Sequence, residues 1–201
     1  MQMTHRLDLT AAGAAPDTPR IGGGALIGGV ADWPQGPFGH PLVLVASLPA
    51  AFLAEVAGID IGVGRVASVF STYHGDPSEL ALLRRGTTQV LVHAHGDLVH
   101  GAVEVPAHRI DAGEAASERS VDWHEDDIPN SESLVGGEAR SLQEEELTVD
   151  GLAFALQFYG GDLSEPSRNL FYLADGVGYL FLPTQAAAGV DRSGLFFVQV
   201  T

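Results

Sequence analysis

Apolar residues along this chain fall into short runs broken by glycine, proline and polar turns, the pattern of strands rather than of long helices. Residues 41–48 are a continuous apolar run of strand length, expected to be buried on both faces. Further strands are predicted at residues 66–73, 152–158, 170–174, 177–182 and 195–200. Within them Phe154, Leu156, Phe158, Phe171, Leu173, Phe181 and Phe197 alternate as core positions should. Residues 88–95 and 99–105 read as a hairpin turning at Gly96-Asp97. Two short helices punctuate the pattern. One covers 49–57 with Gly58 past its end. The other covers 76–85, with Asp76 as cap, Pro77 at the first position, Glu79 completing a capping box and Gly86 as stop. Residues 1–20 read as a short strand and a loose lead-in. The expected class is α+β: β-rich, mainly antiparallel sheet with helices on one face.

The pattern also repeats. A glycine pair precedes an apolar strand at Gly22-Gly23 and again at Gly136-Gly137. Residues 41–48 align with 151–158 at an offset of 110, and Gly62-Val63-Gly64 aligns with Gly176-Val177-Gly178 at an offset of 114. The predicted organisation is one domain with an internal duplication. Its halves, about 20–110 and 134–201, are joined by a connector at 111–133.

Charge changes the picture most at that connector. Residues 110–150 hold 13 of the 26 acidic residues and only two arginines. The formal net charge is −16, all ten basic residues are Arg, and there is no Lys or Cys. Missing lysine excludes Schiff-base and Walker-type phosphate chemistry, and missing cysteine excludes thiolate catalysis and thiolate metal sites. Such a negative field repels nucleic acid and favours basic protein partners, chiefly through association rate. No apolar run has the length of a membrane span, and no signal pattern opens the chain, so a cytoplasmic protein is expected.

Gly22-Gly23-Gly24-Ala25-Leu26-Ile27, then Trp33-Pro34, then the run from Gly39 through Ala46, resembles the opening of the YwqG-like bacterial family. Gly136-Gly137, Gln143, the strand carrying Gln157, and the run Asp175-Gly176-Val177-Gly178-Tyr179-Leu180-Phe181 are similar to its closing half. Ser47 stands where that family usually has Gln, and Glu138 where an aromatic is common. The resemblance implies a β-rich duplicated fold and no particular chemistry; the family's placement near bacterial toxin loci implies an interaction or immunity role.

The sharpest local chemical pattern is His93-Ala94-His95-Gly96-Asp97. Alternate strand residues share a face, so the two imidazoles would lie about 7 Å apart at the backbone, as in His-x-His-x-Asp zinc hydrolases. A hydrolase of the metallo-β-lactamase type wants a further His after the Asp, where Leu98 stands. No nucleophile elbow and no dinucleotide glycine motif occur. Trp33 and Trp123 lie beside acidic residues in loop-like sequence, a common setting for interface anchors and for lids over a core edge. The leading expectation is therefore a non-enzymatic acidic binding protein without cofactor. It would present Trp33, Trp123, Asp122, Glu125, Asp126 and Asp127 to a basic partner. The alternatives are a metal-dependent hydrolase at His93, His95 and Asp97, and a small-ligand module using a cleft between the halves lined by Gln157 and Tyr73.

Overall fold

A computed structural model describes residues 3–9, 13–72, 88–116, 130–143, 146–165, 167–170 and 176–200. The helix expected at 76–85, and the expected binding residues Tyr73, Asp122, Trp123, Glu125, Asp126 and Asp127, lie outside them, as does all but the first residue of the strand expected at 170–174.

Among the described residues twelve strands form two six-stranded antiparallel sheets. In chain order they are β1 His5–Asp8, β2 Arg20–Ile21, β3 Ala25–Gly28, β4 Val43–Pro49, β5 Arg65–Ser71, β6 Gln89–Val99, β7 His108–Arg109, β8 Asp111–Ala115, β9 Leu134–Val135, β10 Leu152–Tyr159, β11 Val177–Pro183 and β12 Leu195–Gln199. The first sheet runs β3-β6-β5-β4-β2-β7 and the second β12-β11-β10-β9-β1-β8. One apolar core joins them. Ile21, Val43, Val45, Leu48, Val69 and Val92 of the first sheet share it with Leu7, Val135, Leu156, Phe158, Leu180 and Phe196 of the second. The sheets thus pack as a sandwich, with β4 buried along nearly its whole length as its apolar run predicts. The helix after β4 is short, Ala50–Phe52, and continues as a π turn over Leu53–Ala57. It stops at Gly58 in the left-handed conformation (φ 62°), which a residue with a Cβ adopts only at a cost.

The two sheets correspond in detail. Leu44/Ala46 on β4 and Phe154/Leu156 on β10, 110 positions apart, each bracket a bulge against the next strand. Ser47 pairs with Ser68 as Gln157 pairs with Tyr179. Both glycine pairs have positive φ, and Gly22 N–H donates to Val45 O as Gly136 N–H donates to Ala155 O. The Gly-Val-Gly triplets do not correspond: Gly64 precedes β5, whereas Val177 and Gly178 lie inside β11, where Gly178 holds the place of Ala67.

Strands β1 and β7 also hold matching places. His5-Arg6 pairs with β9 in the second sheet, and His108-Arg109 pairs with β2 in the first. The N-terminal strand therefore completes the second sheet. After β7 the chain crosses at buried Ile110 from the first sheet to β8 of the second, so the start of the acidic connector is a strand.

The expected hairpin at Gly96-Asp97 is corrected: residues 89–99 form one strand. The turn-like pair is instead a bulge between the Ile27–His95 and Leu26–Leu98 pairs. Gly96 is required by close approach, since a Cβ there would lie 2.6 Å from the Gly28 backbone.

Candidate functional site

His93 points away from the sandwich core, on the outer face of the first sheet with Leu91 and Ser68, and is fully buried. Its Nδ1–H donates to Ala94 O at 2.8 Å, which leaves Nε2 to accept from the Ser68 hydroxyl at 2.9 Å. Burial lowers its pKa below the ordinary 6.5, and Arg65 and His95 push in the same direction against the Ala94 bond. Both nitrogens of this neutral ring are thus engaged. His95 and Asp97 are exposed, Asp97 within the bulge. Among the described residues no three His, Asp or Glu side chains stand close enough to hold a metal ion.

His93 belongs to a buried polar row that sequence reasoning missed. Cross-strand pairing places Arg20, Ser47 and Ser68 side by side on this face. Arg20 is 1% exposed; one Nη donates to Gly24 O, while Nη1 and the Ser47 hydroxyl have no partner among the described residues. Desolvation lowers the Arg20 pKa, opposed by the fields of Glu104 and Asp17. The available signal was the Arg20-Ile21 pair directly before Gly22-Gly23, a short strand read instead as loop.

The second sheet carries the corresponding row on its own outer face, and there it is satisfied. Gln157 Oε1 accepts the Arg140 N–H (2.9 Å), and Nε2 donates to Asn130 O (3.2 Å) and Glu132 O (2.9 Å). The Tyr179 hydroxyl donates to Arg140 O (3.0 Å) and accepts the Leu142 N–H (2.9 Å), which Gln199 Oε1 shares. Burial pushes the Tyr179 pKa up to about 12. These three side chains pin residues 130–143 across the sheet as a strap. Glu132 on it is neutralised by Arg6 (2.9 Å) and Arg140 (2.8 Å). Gln157 therefore grips the chain's own backbone. The space between the sheets, where a ligand cleft was expected, is filled by the apolar core.

Trp33 is a lid over the first sheet. Its ring meets Phe70 edge-on at 5.4 Å and its Nε1–H donates to Leu42 O at 2.6 Å. In the second sheet a cavity of about 310 Å³ lies beside residues 137–139 of the strap, over Phe154 and Phe181. These rings hold the register positions of Leu44 and Phe70. The structure thus brings together Trp33 with Phe70, and His93 with Ser68, but leaves Trp33, Gln157 and the His93–Asp97 segment as separate places.

No helix among the described residues is long and apolar enough to cross a membrane. No protein-family model matches this chain, and no curated protein matches it.

Proposed function

We propose that this protein is a non-catalytic, acidic binding module, cytoplasmic and immunity-like, that recognises a basic protein partner. The observation that carries this reading is the net charge of −16. It is supported by the use made of the chemically capable groups singled out above: His93, Ser68, Gln157 and Tyr179 are tied into fold-forming hydrogen bonds. A zinc hydrolase at His93, His95 and Asp97 draws no support from a ring with both nitrogens occupied. Matching bulges, glycine pairs and the shared order of five strands support an origin by internal duplication. The ordered glycine, Trp-Pro and strand motifs support kinship with the YwqG-like proteins.

The test is to purify the native partner and measure its affinity against salt. Electrostatic recognition predicts a steep loss as screening shortens, with release by about 1 M salt. A partner that is acidic, or that stays bound unchanged at that ionic strength, overturns the reading.

A further inference from the structure

The cavity on the outer face of the second sheet has a floor, walls and a charged mouth, each formed by identified side chains. Phe154 and Phe181 form the floor, their rings edge-to-face with centroids 5.7 Å apart. Leu152 and Val149 add apolar wall, and Glu138 and Glu146 line the opening. At about 310 Å³ it has the size of a small binding pocket. In the first sheet the ring at the corresponding position, Phe70, lies under the protein's own Trp33. Among the described residues the second sheet leaves that place open and puts carboxylates beside it.

Those carboxylates, Glu138 on the strap and Glu146 after it, differ from Glu132. Glu132 is bound by two arginines of this chain, whereas Glu138 and Glu146 are exposed and meet no cation among the described residues. Among the described residues no basic side chain lines the cavity, so an anion would find only repulsion from them. A neutral apolar group would desolvate two carboxylates without compensation. A planar cation with an apolar stem fits both halves of the pocket. Guanidinium stacks on aromatic faces, pairs with carboxylates through directed N–H bonds, and sheds water more readily than an ammonium.

We infer that this cavity receives an arginine side chain of the basic partner, an inference that rests on the partner being basic. The probe is acetyl-Gly-Arg-Gly-amide, followed by NMR, beside its citrulline and lysine counterparts. The arginine peptide should shift Phe154, Leu152 and Val149 resonances. Citrulline, which keeps the shape and loses the charge, should bind at least about tenfold more weakly, with lysine between them. Glu138→Gln with Glu146→Gln should cost the arginine peptide about tenfold while leaving the melting temperature unchanged, since both residues are exposed. Glu55→Gln with Glu114→Gln removes the same charge from exposed positions elsewhere and should cost much less. Equal losses from both pairs, equal binding of citrulline, or no binding of the arginine peptide would each overturn the inference. Salt-sensitive binding of the intact partner, unaffected by Glu138→Gln with Glu146→Gln, would overturn it and leave the basic-partner reading standing; loss of salt sensitivity itself would remove both.

Discussion

Gln157, Tyr179 and Gln199 in the second sheet stand where the first sheet has Ser47, Ser68 and His93. The long polar side chains of Gln157, Tyr179 and Gln199 reach out and hold a strap of backbone. The short ones cannot reach. Ser68 and His93 turn to each other, and Ser47 and one arm of Arg20 are left without partners among the described residues. The same contrast runs through the apolar half of each face, where Trp33 covers Phe70 but, among the described residues, the space over Phe154 and Phe181 stays open. Two sheets that match over five strands can therefore carry unlike surfaces. The core faces hold the sandwich together, which leaves the outer faces free to diverge.

The comparison breaks first at Gln157. Gln157→Leu keeps the volume but strands the Arg140 N–H and the carbonyls of Asn130 and Glu132; it should destabilise the protein by about 3 kcal/mol in chemical denaturation. Hydrogen exchange should accelerate in residues 130–143. A change under about 1 kcal/mol would mean that the strap is held by something else. Trp33→Phe, which keeps an aromatic lid over Phe70 but loses the bond to Leu42 O, should cost about 2 kcal/mol.

Ser47→Ala tests the opposite sign. Removing a buried hydroxyl with no partner should stabilise by about 1 kcal/mol, and a comparable loss would show that Ser47 is satisfied. The smallest effect is the pH dependence of His93. Its folded pKa lies below the ordinary 6.5, so on acidification the unfolded chain takes up the proton first. The stabilisation is complete above pH 6.5 and declines as pH falls from there toward the folded value. His93→Gln should flatten that part of the stability–pH curve, and an unchanged slope would assign it to another group.

Much of this frame is legible in the apolar pattern. Residues 41–48, 152–158, 177–182 and 195–200 announce β4, β10, β11 and β12, and Gly58 marks the end of the helix. The same local signals misread residues 96–97, because a Gly-Asp pair suits a turn and a bulge equally, and only the neighbouring β3 backbone decides between them. The candidate site was less legible. Gln157 stood out as a polar liner of a cleft between the halves, but its partners are backbone groups 17 to 27 positions earlier, which no spacing rule predicts.

Period-two alternation, glycine punctuation and total charge are local or additive properties, and from them the sequence alone determined a strand-rich, acidic protein. Which strand completes which sheet was decided only in three dimensions, since His5-Arg6 and His108-Arg109 carry the same local instructions and go to different sheets. Whether a buried polar side chain finds a partner, and whether a pair of rings is covered or left open, depends on segments distant in sequence meeting at one place; that is a property of packing, and no stretch of chain contains it by itself.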